Sequence, residues 1–160
     1  TREITQKKRE LQKMLKSLEG KEEQYSTALS KAQKDLDTEE NTLRQMCTQK
    51  KLRTLEQVKG DKNASAQLLL VGEIQKRLKL TEKKLETATD TKTQLSISIK
   101  RLANQEELSK LAESKEELAM LDQLLTESRN VLEEKTDLGE IAKLTEEQAA
   151  DDWFRENFGK

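Results

Sequence analysis

The chain has 160 residues, 38% of them charged and only 32% hydrophobic, with no proline, no histidine, five glycines, one cysteine and a net charge of −1. Without histidine, Ser-His-Asp and Cys-His pairs and the common zinc sets are excluded, and isolated glycines provide no phosphate-cradling loop. No catalytic residue, metal or cofactor is therefore expected, and the protein reads as a non-enzyme.

The composition is that of long helices each burying one narrow stripe, because the dominant residues are good helix formers and the strongest helix breaker is missing. Residues 1–100 carry a net charge of +7 and residues 101–160 a net charge of −8. Halves of opposite sign attract each other, within a chain or between chains. Lone Cys47 excludes an intrachain disulfide, and a reduced, cytoplasmic or otherwise intracellular setting is the expectation. No apolar run approaches the ~20 residues of a membrane span. The sequence starts at Thr1 in mid-pattern, as a piece of a longer protein would.

The first element is a helix over about residues 1–59. Ile4, Leu11, Leu18, Tyr25, Ala32, Glu39 and Met46 take one core position of a heptad. Lys8, Leu15, Glu22, Leu29, Leu36, Leu43 and Lys50 take the other. Ten of these fourteen are apolar in one register, which argues for a coiled-coil seam against disorder. Its opening is basic: Arg2, Lys7, Lys8, Arg9, Lys13 and Lys16 stand against Glu3 and Glu10. Those cations suit contact with an anionic membrane surface. No aromatic interleaves with them, which argues against nucleic acid.

The segment 59–63, Lys-Gly-Asp-Lys-Asn, predicts a turn, with Gly60 after the helix and Asp61 or Asn63 as the next N-cap. A second helix follows over 63–102. Its seam is Val71, Leu78, Leu85, Lys92 and Ile99 with Ile74, Thr81, Ala88, Leu95 and Leu102. A turn centred near 61.5 makes an antiparallel hairpin over 1–103 with residue i beside 123 − i. That register puts Glu39 by Lys84, Glu22 by Arg101 and Asp90 by Lys34. At about 1.5 Å per residue the first helix would reach ~90 Å and the second ~60 Å. The start of the first would overhang and leave Leu11, Leu15 and Leu18 for a third segment or another chain to cover.

A third helix is expected within 104–136, opened by an Asn104/Glu107 capping box. Its wide stripe of Leu108, Leu111, Leu118, Leu121, Leu124, Leu125, Val131 and Leu132 predicts contact with two neighbours. Residues 137–160 form an acidic tail with cap-box spacings at Asp137/Glu140 and Thr145/Gln148. It ends in Trp153, Phe154 and Phe158, three of the four aromatics of the chain. These rings either plug the end of the bundle, insert into a partner's groove, or dock on the basic start of another copy.

Two resemblances concern layout. A long basic hairpin followed by shorter acidic helices, here 1–102 and 104–160, resembles the order in ESCRT-III membrane-remodelling proteins, which implies assembly on anionic lipid. The stretch Val-Lys-Gly-Asp-Lys-Asn-Ala-Ser-Ala-Gln-Leu-Leu-Leu, residues 58–70, is similar in layout to the antiparallel hairpins of Rho-family effectors, which implies a small-GTPase partner. The expectation overall is an all-α fold, a long antiparallel helical hairpin with a third packed helix and short C-terminal helices. Its expected role is a coiled-coil scaffold or tether that binds a helical protein or itself. Leu11, Leu15, Leu18, Trp153, Phe154 and Phe158 are the candidate partner-binding residues. Lys7, Lys8, Arg9, Lys13 and Lys16, with Arg2, are the candidate anionic-surface contacts.

Overall fold

The computed structural model describes residues 2–104 and 115–158. Five α-helices and one 3-10 turn make up the regular structure of these residues: α1 (Arg2–Lys50), α2 (Leu55–Gly60), α3 (Lys62–Leu102), α4 (Lys115–Leu132), the turn Gly139–Lys143, and α5 (Glu146–Phe158). The fold is all-α. The long helices α1 and α3 run antiparallel, with α4 and α5 packed on them.

The first helix stops at Lys50, well short of residue 59. Lys51 adopts a left-handed conformation, φ 59°, and the Leu52 N–H donates to the Cys47 carbonyl at 2.9 Å. That six-residue return bond is a Schellman ending, with lysine where glycine is usual. A new helix then starts at once. Thr54 Oγ1 accepts from the Gln57 N–H at 3.2 Å, and Gln57 Oε1 accepts from the Thr54 N–H at 3.2 Å. This reciprocal capping box begins α2, so Gly60 closes a short helix without leaving the right-handed region. Asp61 is the N-cap of α3: its Oδ1 accepts from the N–H groups of Asn63 at 3.1 Å and Ala64 at 2.9 Å. Lys50 reaches the same oxygen at 3.0 Å.

These two caps correct the predicted pairing. A connection centred on residue 56 places residue i beside a residue near 112 − i. Accordingly Arg77 pairs with Asp35 at 2.8 Å and Lys92 with Glu22 at 2.8 Å, while nearer the connection Gln67 bonds Glu39 at 2.6 Å. Lys84, Arg101 and Lys34 are not the partners of Glu39, Glu22 and Asp90.

The chain forms two compact units, Thr1–Ser26 with Lys83–Asp137 and Thr27–Glu82 with Leu138–Lys160. The first unit is a three-helix bundle. Lys7 pairs with Asp122 and Lys21 with Glu134, so α4 runs parallel to α1, while Arg101 pairs with Glu117, so it runs antiparallel to α3. Ile4, Leu11, Leu18 and Tyr25 meet Ala88, Leu95 and Leu102 at seven-residue spacing, and Leu121, Leu125 and Val131 of α4 close the core. Ser128 is wholly buried because its hydroxyl donates to the Leu124 carbonyl at 2.8 Å. The predicted Asn104/Glu107 box and the stripe residues Leu108 and Leu111 fall on or reach into 105–114, outside the described residues. α4 ends at Leu132, with Glu134 left-handed at φ 60° and the Lys135 N–H donating to the Asn130 carbonyl at 2.8 Å.

The second unit joins the later part of α1, α2, the start of α3, and α5. Its core holds Ala32, Leu36, Leu43, Cys47, Val58, Ala64, Leu68, Val71, Ile74, Leu78, Ala150, Trp153 and Phe154. Before α5, the 3-10 turn buries no residue and has no side-chain cap at Leu138. Thr145 then caps α5, its Oγ1 accepting from the Gln148 N–H at 3.0 Å, as the Thr145/Gln148 spacing predicts.

Candidate functional site

The most built surface in the second unit is the cradle that holds α5. Ala149, Ala150, Trp153 and Phe154 recur at helical spacing, so one face of α5 is apolar from end to end. Trp153 is 3% exposed and Phe154 fully buried. Gly72 of α3 lets this face come close. A Cβ on Gly72 would lie 2.4 Å from the Glu146 carbonyl oxygen and 2.5 Å from the Ala150 Cβ. Two small residues thus bring two helix backbones together where any side chain on α3 would hold them apart.

Around this notch the anchors are aromatic and charged. Phe158 stacks on Phe154 at 4.3 Å between centroids and meets Trp153 at 5.8 Å. The Arg44 guanidinium lies 4.6 Å from the centre of the Phe158 ring, a cation–π contact from α1. On the other flank, Lys59 of α2 pairs with Asp151 at 2.8 Å and stands 4.0 Å from Glu147. The other Asp151 oxygen, Oδ1, is buried with no hydrogen-bond partner among the described residues. A cavity of about 320 Å³ opens beside this pair, lined by Lys59, Ser65, Leu68, Leu69, Glu147, Ala150 and Asp151. Leu69 of this lining is exposed, as is Leu70 on the same helix. Cys47 lies buried in this core, and burial pushes its thiol above the usual range, which favours the inert protonated form.

In the first unit the predicted seam residues face inward. Leu11 and Leu18 are fully buried, and Leu15 is half-buried against the same core. The expected overhang does not leave this row open: Leu95 and Leu102 of α3 reach it, and Leu121, Leu125 and Val131 of α4 close it. The basic start divides by helix face. Lys7 is held by Asp122, whose hydrogen bond raises its pKa. Lys8 is half-buried on the flank of the seam. Arg9, Lys13 and Lys16 are exposed on the side of α1 opposite Leu11 and Leu18, and none takes part in an ion pair among the described residues. The Arg2 side chain lies outside the described residues. At 100° per residue those three cations fall within a sector of about 60°.

Two further charge sites organise this unit. Lys92 and then Thr89 hydrogen-bond Glu22 and hold its carboxyl below the usual range. Lys21 does the same for Glu134, which also accepts from the Tyr25 hydroxyl at 3.5 Å. Large apolar side chains remain outside at Ile97 and Met120, 56% and 57% exposed. No helix among the described residues is long and apolar enough to cross a membrane.

Comparison of the chain with known protein families, curated proteins and solved structures found no match. What the fold defines is a class by architecture alone: a helical hairpin extended into two helical units.

The sequence marks the three aromatics but not their cradle. Arg44, Lys59 and Gly72 are far from α5 along the chain. Gly72 gives no signal of its own, since Gly20 is an equally isolated helical glycine with nothing within 4 Å of a Cβ there.

Proposed function

We propose that the protein is a non-enzymatic helical scaffold that works by engaging amphipathic helices of protein partners or of further copies of itself. The observation that carries this reading is the α5 cradle. A glycine notch, an apolar floor, a cation over an aromatic ring and a lysine clamp together grip a short helix. These are the components by which grooves hold helical ligands, with large aromatics as anchors. The test uses the full chain carrying Trp153→Ala and Phe154→Ala, which vacates its own groove. A peptide of the α5 sequence, residues 145–158, should bind this chain and should bind the unaltered chain far more weakly. Equal binding to both, or to neither, would defeat the reading.

A second reading rests on a different observation, the exposed row Arg9, Lys13 and Lys16. It makes the first unit a peripheral contact for an anionic membrane surface. The apolar face of that helix is spent on the core, so such contact would be electrostatic, without insertion. Co-sedimentation with phosphatidylserine-containing vesicles, lost in the triple glutamine variant and at high salt, is expected. Sedimentation that survives both would exclude it.

A further inference from the structure

We infer that α5 is an exchangeable helix, and that the cradle in the second unit accepts the α5 of another copy of this chain in place of its own. The inference rests on the reading of the cradle as a helix-binding groove and names its partner. Every grip on the helix is made by residues within α5. Glu146 and Ala150 meet Gly72, Asp151 meets Lys59, Trp153 and Phe154 enter the core, and Phe158 lies under Arg44. None of these contacts depends on the segment that leads into α5. The 3-10 turn Gly139–Lys143 holds no fully buried residue, and its half-buried Ile141 belongs to neither core. An α5 from a second copy would find the same partners at the same distances.

The connector has the features of a hinge. It runs from the end of α4 at Leu132 to the Thr145 cap, and the chain passes between the two units within it, at Asp137/Leu138. Glu134 and Gly139 both stand at positive φ, 60° and 57°, so the path back to the cradle depends on two left-handed residues, one of them not glycine. Exchange of an identical element between protomers is a low-cost route to a closed, two-fold dimer, because each copy gives and receives the same contacts. What opposes it is concentration. A tethered helix competes at an effective concentration of the order of millimolar for a short connector. The intact chain therefore keeps α5 at home when dilute. It exchanges when copies are crowded on a common support, or when the connector cannot reach.

The chain has one tryptophan, and it lies in α5, so its emission reports where α5 is. In the first experiment Gly72→Arg blocks the notch in one full-length chain, leaving its Trp153 in water. A second chain, Trp153→Ala/Phe154→Ala, has an empty cradle and no tryptophan. Circular dichroism of each checks that the helices persist. Mixing the two should shift the emission to the blue and produce a 1:1 complex of twice the monomer mass. Emission unchanged on mixing, with both chains monomeric, would overturn the exchange. In the second experiment residues 139–143 are deleted from the otherwise unaltered chain, which leaves both cores intact. A dimer with buried Trp153 is the expected result. A monomer with exposed Trp153 would overturn it, whereas a monomer with buried Trp153 would show that the shortened connector still reaches, and the first experiment then decides. If the α5 peptide binds the vacated groove but neither experiment yields a dimer, the groove reading stands and the exchange alone falls.

Discussion

Gly72→Ala sets two large effects against each other at one atom. In a helix interior, alanine is favoured over glycine by about 1 kcal/mol. Propensity alone therefore predicts a more stable protein. The structure predicts the reverse. The new Cβ would sit 2.4 Å from the Glu146 carbonyl oxygen and 2.7 Å from the Ala150 backbone nitrogen. Both belong to helix backbone and cannot rotate away, so α5 must move outward by about 1 Å to reach ordinary contact. Overpacking of this kind costs typically 1–3 kcal/mol. Displacing α5 also loosens Trp153 and Phe154, whose complete loss would cost about 3–5 kcal/mol each. A net loss of about 1–2 kcal/mol is the expected balance once propensity is subtracted. Gly20→Ala is the control, since nothing lies within 4 Å of a Cβ there and the position is exposed. It should gain up to about 1 kcal/mol. Urea unfolding followed by tryptophan emission and by circular dichroism measures both. If the two substitutions stabilise equally, with Trp153 emission unchanged, the close approach of α5 to α3 is wrong.

Three other outcomes follow from the helix ends and the ion pairs. Lys51→Gly removes a side chain from a left-handed position and should stabilise by about 0.5–1 kcal/mol after the added freedom of the unfolded chain. Glu134→Gly relieves the same kind of backbone cost but loses the contacts to Lys21 and Tyr25, so its gain in thermal unfolding should be smaller or absent. Acid should destabilise the chain through Glu22, Asp61 and Glu134. Their folded pKa values are lowered, by Lys92, by the Ala64 N–H and by Lys21 in turn, so their stabilisation is complete above the ordinary carboxylate range and lost as pH falls through the folded values. Lys92→Ala should flatten that acid limb in melting temperature against pH, and an unaltered limb would remove Glu22 from the account.

The seams were readable because α1 and α3 are proline-free and their buried residues recur at strict spacing. Ile4, Leu11, Leu18, Tyr25 and Ala32 are all buried, as are Val71, Ile74, Leu78, Ala88, Leu95 and Leu102. Further along α1 the pattern fails in an instructive way. Met46 holds the predicted core position, yet Cys47 is the residue buried, after Leu36 and Leu43. The buried row has turned because this part of α1 faces α2 and α5 as well as α3. Helix starts were legible where capping side chains stand at the right spacing, as at Thr145, and at Asp61, which the sequence leaves open with Asn63. Thr54 and Gln57 have the same signature, but the glycine at position 60 outweighed it. The cradle could not be read. Complementarity between Gly72 and Ala150 exists only after the chain has folded, and neither residue announces its partner.

The basis for association differs between sequence and fold. From sequence, the case was an uncovered leucine row at the start of α1, which another chain would have to complete. In the structure that row is completed from within. α4 follows α1 in parallel, and its Leu121 and Leu125 join Leu11 and Leu18 in one core. The hydrophobic seam is therefore used up, and substitutions at Leu11 or Leu18 would unfold the first unit before they informed on any partner. α5 differs because the contacts that hold it in the cradle are all made by its own residues. Its apolar face is as well buried as the seam, but its covalent tie can be moved without disturbing either core. Under the exchange proposed above, association would be governed less by how much apolar surface is exposed than by which buried helix can be released.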